Sequence, residues 1–237
     1  MKEAMIGSDM GVTLVGGGEI GVDDIPLALG HAPLLVAVDG GANAALASGQ
    51  EIHAVVGDFD SLTPEDRARI PADRLLRIAE QDSTDFEKAL NSVRAPVILA
   101  VGFLGGRLDH QFAAFNVLAR FPDTHCILIG ETEIVLHLPR ALSVALQEGD
   151  VVSLFPMAAV TGRSEGLKWP IDGLSLAPDG RIGTSNQALG EVRIETDGPG
   201  LLAILPRRSM AAAITALAAS RPHAIAGQSG APLPARA

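Results

Sequence analysis

Short, uninterrupted apolar runs separated by glycine-rich and acidic turns fill the first 140 residues. They are VTLV (12–15), Leu34 to Val38, Ile52 to Val56, residues 74–79, Val97 to Val101, and the segments 125–129 and 133–138. Runs of this length without polar alternation fit strands buried on both faces, as in a parallel sheet covered by helices. Helix signals lie between them. Asp23 and Asp24 can cap a helix that ends near Gly30, residues 43–48 form a small-residue helix closed at Gly49, and Ser61-Leu62-Thr63-Pro64-Glu65 suggests a third start. Thr84 with Glu87 three positions on is a capping box, which opens a helix running to about Val93. Another runs through Phe112, Phe115, Asn116 and Leu118 to Arg120. Five strand–loop–helix units in succession predict an α/β fold with a parallel, doubly wound sheet.

From about residue 141 the period changes. Short β-like runs at 150–155, 166–171, 191–196 and 200–205 are separated by Gly, Pro, Asp and Asn turns. This pattern predicts a small antiparallel β-sandwich or barrel. An Ala-rich helix is expected over 207–220, and the Pro, Gly, Ser and Ala content beyond Arg221 reads as a flexible tail. The division expected is therefore an α/β unit over 1–140, a β unit over 141–208, and a helix with tail over 209–237.

Composition narrows the function. Of 237 residues, 47% are hydrophobic and 19% charged, with a net charge of −10, so no basic face for nucleic acid or an anionic membrane is expected. No apolar run is long enough for a membrane span, and the first ten residues lack a signal-peptide core. The single cysteine, Cys126, sits in an apolar run and reads as a core residue in a reduced, cytoplasmic setting.

The candidate chemistry stands at the strand ends. Gly57-Asp58-Phe59-Asp60-Ser61 closes the third run; two carboxylates at i and i+2 of a strand end point to one side and suit a hard cation such as Mg²⁺ carrying phosphates. An Asp-rich turn capping the next helix explains the same residues. Asp39-Gly40-Gly41-Ala42-Asn43 follows the second run, Asp82 and Asp85 the fourth, and Gly102 to His110 the fifth, with Arg107 and Asp109. Asp85 alone is accounted for as an acidic first-turn residue, and His110 as a hydrogen-bonder at a helix start. Three glycines, Gly16 to Gly18, suit either a tight turn or a phosphate loop. Open α/β sheets bind ligands at the carboxyl ends of their strands, so all these groups should gather on one edge.

In their order and spacing, DGGAN (39–43), GDFDS (57–61), QDSTDFEKAL (81–90) and GGRLDH (105–110) followed by Asn116 resemble the motifs of the thiamin pyrophosphokinase family. GLKW (166–169), GTSN (183–186) and GPGLLAIL (198–205) extend the resemblance over residues 12 to 206. It implies a Rossmann-like N-terminal domain binding ATP, a β-sandwich domain binding thiamin, and a homodimer with active sites between subunits. The implied reaction moves the β,γ-pyrophosphoryl group of ATP to the hydroxyethyl oxygen of thiamin, leaving AMP. Asp58, Asp60 and Asp85 match the family's Mg²⁺ positions, and one of them or Asp82 can take the alcohol proton. Lys88, Gly105, Gly106, Arg107 and Asp109 fall to the ATP phosphates. Asp39 and Asn43 fall to the substrates, with Trp169 stacking on thiamin and Ser185 and Asn186 offering it hydrogen bonds. Rivals are a pyrophosphokinase for another alcohol such as a pterin, a non-catalytic sensor on the same scaffold, and a Mg²⁺-dependent phosphohydrolase.

Overall fold

The computed structural model describes residues 6–78, 82–220 and His223. Its first half alternates strand and helix. After the short β1 (Ile6–Gly7) come β2 (Val12–Val15), α1 (Asp24–Leu29), β3 (Leu34–Val38), α2 (Gly41–Ala47), β4 (Ala54–Gly57), α3 (Pro64–Ala68) and β5 (Leu75–Arg77). Next follow α4 (Asp85–Ser92), β6 (Val93–Arg94), β7 (Ile98–Val101), α5 (Leu108–Arg120) and β8 (Cys126–Ile129). Six strands pair in parallel in the order β8-β7-β2-β3-β4-β5, so the order reverses between β2 and β7.

The unbroken apolar runs are explained by burial on both faces. Alternate residues of each strand enter opposite core clusters: Leu35, Ala37, Val55, Leu99 and Val101 face one way, and Val36, Val38, Val56, Ile98 and Ala100 the other. The first cluster is covered by Ile25 and Ala28 of α1 and by Ala42 and Ala45 of α2, the second by Phe86, Ala89 and Leu90 of α4 and by Val117 and Leu118 of α5. Each fully buried Val or Leu contributes about 2 kcal/mol before the entropy of ordering it.

Beyond β8 the chain turns antiparallel. It forms β9 (Glu133–His137), β10 (Ala141–Val144), β11 (Val151–Pro156), β12 (Val160–Leu167), β13 (Ser175–Leu176), β14 (Gly183–Thr196) and β15 (Leu201–Pro206), then α6 (Met210–Ala219). β9 pairs with β8 on one edge and with β15 on the other, so a single mixed hydrogen-bonded path runs through both halves. The 14-residue β14 changes partners along its length. Residues 183–187 pair with β11, and residues 188–196 pair with β12 and β10.

Two details differ from the sequence pattern. The run 166–171 is not one strand: β12 begins earlier, at Val160, and ends at Leu167, which leaves Trp169 in the following turn. The polar 183–190 is strand although it lacks a hydrophobic signature, because its rungs to β11 and β12 are made by backbone. The third helix starts at Pro64 with Thr63 as its cap, whose Oγ1 accepts from the Asp66 N–H at 3.1 Å. Of the expected tail beyond Arg221 only His223 is described; the rest of it, and Gln81 of the QDSTDFEKAL motif, lie outside the described residues.

Candidate active site

The carboxyl ends of β3 and β4 meet at the acidic loops. The Asp39 N–H donates to the Val56 carbonyl at 2.9 Å, which locks the DGG turn against the end of β4. A Cβ on Gly57 would stand 3.1 Å from the Asp39 side chain, so glycine there is what admits the neighbouring carboxylate. Asp39 and Phe59 both have positive φ, 44° and 69°. For a buried aromatic such as Phe59 that conformation is strained, and it is held by core packing.

One oxygen from each of Asp39, Asp58 and Asp60 lies within 4.8 Å of the others. Ser61 Oγ stands 2.9 Å from Asp39 Oδ2 and 3.0 Å from Asp60 Oδ1, and its single proton can serve only one of them. The Asp60 N–H donates to Asp58 Oδ1 at 3.2 Å, and Asn43 Nδ2 donates to the Ser61 carbonyl at 3.4 Å. Asp39 Oδ1 is buried and has no hydrogen-bond partner among the described residues. A buried carboxylate oxygen left unpaired beside two more carboxylates is unfavourable unless a cation accepts all three. The donor set, all hard oxygen, fits a divalent ion of the Mg²⁺ type.

The structure thus gathers Asp58 and Asp60 as expected and adds Asp39, which the family pattern had set aside for substrate. Asp85 is not in that group. It lies in the first turn of α4, capped by Thr84 Oγ1 accepting from the Glu87 N–H, and its Oδ1 takes the ammonium of Lys88 at 3.1 Å. Lys88 is only 4% exposed, so its charge is held beneath the loops and not offered to solvent. Asp82 is exposed just ahead of this helix. The signal for Asp39 was in the sequence: it is the acidic residue ending the strand next to β4.

At the reversal between β2 and β7 the glycine loops serve close packing. The Gly16 N–H donates to the Val101 carbonyl at 2.8 Å and the Gly18 N–H to the Gly102 carbonyl at 2.7 Å, so two of the three glycine N–H groups are already used. A Cβ on Gly41 would lie 1.9 Å from the Val15 carbonyl oxygen, which is how α2 starts directly on the end of β2. Gly105 and Gly106 both have positive φ beside Glu19. Arg107 forks onto Asp109, with Nε to Oδ1 at 3.1 Å and Nη2 to Oδ2 at 2.6 Å, and this pairing holds the Asp109 carboxyl below the usual carboxylate range. Both side chains are well exposed at the start of α5.

Trp169 belongs to the other half. Its side chain is 53% exposed, with the Lys168 ammonium 4.7 Å from the ring centroid. It borders a cavity of about 260 Å³ lined also by Ile171, Leu176, Arg181, Thr184 and Asn186. Ser185 has φ of 60°, and its N–H donates to Ser153 Oγ at 3.0 Å. The Asn186 side chain is 6% exposed and is bonded to the Trp169 backbone.

Two family models match in tandem: the catalytic domain of thiamin pyrophosphokinase over residues 25–129 and its vitamin B1 binding domain over 133–201. The chain belongs to the thiamin pyrophosphokinase family. The family model boundary falls between β8 and β9, where the sheet changes from parallel to antiparallel. Among curated relatives, thiamine pyrophosphokinase 1 of Oryza sativa subsp. japonica is 30% identical over 207 residues, covering 73% of this chain and 78% of that protein. Thiamine pyrophosphokinase 1 of Arabidopsis thaliana is 28% identical over 212 residues with the same coverage. The thiamin pyrophosphokinase of Geobacillus thermodenitrificans superposes with a TM-score of 0.68 at 25% identity, over 83% of this chain and 97% of that one. That of Candida albicans gives 0.69 at 17% identity, over 83% and 90%, which speaks for the fold.

Proposed function

We propose that the chain transfers the β,γ-pyrophosphoryl group of ATP to the hydroxyethyl oxygen of thiamin, giving thiamin diphosphate and AMP, with Asp39, Asp58 and Asp60 holding Mg²⁺. Family membership gives the chain thiamin pyrophosphokinase activity, with ATP and thiamin as substrates. The observation that carries the metal assignment is the three-carboxylate cluster, one member of which, Asp39, also keeps a buried oxygen without a hydrogen-bond partner among the described residues.

A bound Mg²⁺ supplies charge neutralisation to the triphosphate. The chain's own residues do the rest. Asp39, Asp58 and Asp60 set where that charge stands, at the edge formed by β3 and β4. Lys88, fixed by Asp85, contributes buried positive potential beneath the loops, and the exposed Arg107, released from Asp109, is the group able to follow a moving phosphate. The transition state of such transfers is loose, so a carboxylate near the alcohol, Asp82 or a member of the cluster, needs to accept its proton only late.

Thiamin binding falls to the Trp169 face and its cavity, where a cationic ring can stack. Eight neighbour steps separate β12, which ends beside Trp169, from β3, which ends at Asp39. At strand spacing that is roughly 40 Å of sheet path, which supports a homodimer whose sites combine the acidic edge of one protomer with the Trp169 face of its partner. The lone cysteine is buried, its thiol pushed up by burial, in keeping with a reduced, cytoplasmic setting, and no helix among the described residues is long and apolar enough to cross a membrane.

Incubation with MgATP and thiamin, followed by product identification, tests this reading. AMP with thiamin diphosphate is expected. ADP with free phosphate, or nucleotide turnover indifferent to thiamin, overturns it.

A further inference from the structure

We propose that Asn186 is a positioning residue that acts through Trp169, holding the indole on the thiamin side of its cavity. The inference rests on the reading of Trp169 as the stacking residue. It concerns how that residue is held and assigns Asn186 no contact with the ligand.

The cause is a strand that must serve two partners. The ladder between β12 and β14 pairs Leu167 with Ala188, and the Lys168 N–H still donates to the Gln187 carbonyl at 2.9 Å. One residue further on, the β14 backbone is paired on its opposite edge with β11, with Val152 opposite Asn186 and Val151 opposite Gln187. The next rung to the Trp169 segment therefore has no backbone to close it. The Asn186 side chain takes that place. Its Oδ1 accepts from the Trp169 N–H at 3.1 Å, and its Nδ2 donates to the Trp169 carbonyl at 2.6 Å. The same Oδ1 also accepts from the Gln187 N–H at 2.9 Å.

The amide orientation is fixed, because two backbone N–H groups require the oxygen and a backbone carbonyl requires the nitrogen. Oδ1 is fully used and Nδ2 has one proton left, so little of this side chain remains to bind a ligand. It is buried, whereas the indole it holds is half exposed. No other residue type of this size offers one acceptor and one donor in that geometry. Aspartate keeps the acceptor, places a second oxygen against the Trp169 carbonyl, and loses the rung.

Trp169 is the only tryptophan and the chain has no tyrosine, so its fluorescence reads this turn directly. In ligand-free protein, Asn186→Ala should raise the acrylamide quenching constant of Trp169 about twofold and lower its anisotropy, as a half-held turn becomes mobile. In the assay, Asn186→Ala should raise the thiamin KM about tenfold with kcat near the parent value, and the double variant with Trp169→Ala should be no worse than Trp169→Ala alone. If Asn186→Ala does not fold, Asn186→Asp, which keeps the volume, carries the same comparisons. Unchanged quenching and anisotropy overturn the proposal, as does a double variant whose KM effects multiply. The fluorescence arm uses no thiamin, so it stands whether or not thiamin is the ligand.

Discussion

At the residue scale the protein is decided by carboxylates placed against each other's charge. Asp39→Asn replaces a buried, unpaired oxygen with a neutral amide. It should leave the metal-free protein as stable as the parent or raise its stability by roughly 1 kcal/mol, while removing the gain in thermal midpoint that MgCl2 gives the parent. Equal Mg²⁺ shifts in the two proteins would show that Asp39 is not a ligand. Asp60→Asn, on an exposed side chain, should lower kcat/KM by about a hundredfold or more without unfolding the chain; near-parental activity would remove it from the site. His137 makes a different prediction. Burial, together with the nearby His223, lowers its pKa from 6.5 to about 4, and its Nε2 accepts the Gly200 N–H at 2.7 Å, which requires the neutral ring. The unfolded chain takes up that proton near pH 6.5 and the folded chain only near pH 4. The contribution is therefore present above pH 6.5 and is lost as pH falls toward 4, about 3 kcal/mol in all. Denaturant titrations across that window should show a shallower slope for His137→Gln than for the parent, and parallel slopes would refute the assignment.

At the element scale, strand ends and helix starts share backbone space so that acidic loops from two strands can touch. The start of α2 lies so close to the end of β2 that a methyl group at Gly41 meets the Val15 carbonyl. Gly41→Ala should cost about 3 kcal/mol and also displace Asp39, so activity should fall more than the stability loss at assay temperature explains. A fully active and stable Gly41→Ala protein would mean that the turn can move freely. This spacing also explains where sequence patterns did and did not suffice. The Thr84 cap, though with the Glu87 carboxylate on Arg120 and not closing the box, and the continuous apolar runs were legible, because both depend on neighbours within a few residues or on burial of a whole run. The polar first part of β14 was not legible, since its strand character comes from backbone rungs to β11, far away in sequence.

At the scale of the whole molecule, one hydrogen-bonded path of strands joins the acidic edge to the aromatic face, eight neighbour steps along the sheet. If each site takes its metal end from one protomer and Trp169 from the other, an Asp60→Asn protein and a Trp169→Ala protein should complement. Mixing the two under conditions of subunit exchange should restore as much as about a quarter of parental activity, through mixed dimers holding one intact site. Activity no greater than the sum of the two separate variants would place both residues in one protomer's site.

Short-range pattern carried most elements of the first half, the family motifs and the carboxylates at strand ends; it set the change of texture near residue 140, whereas the sheet turns antiparallel earlier, between β8 and β9. Which carboxylates meet was decided only by the tertiary structure. Strand order brings the ends of β3 and β4 together, so Asp39 joins Asp58 and Asp60, while the first turn of α4 turns Asp85 to Lys88. In the same way, sequence presented Asn186 as a free polar group beside a binding face. With the β14 backbone at Asn186 paired to β11 on the opposite edge, its side-chain amide makes the bonds to the Trp169 backbone.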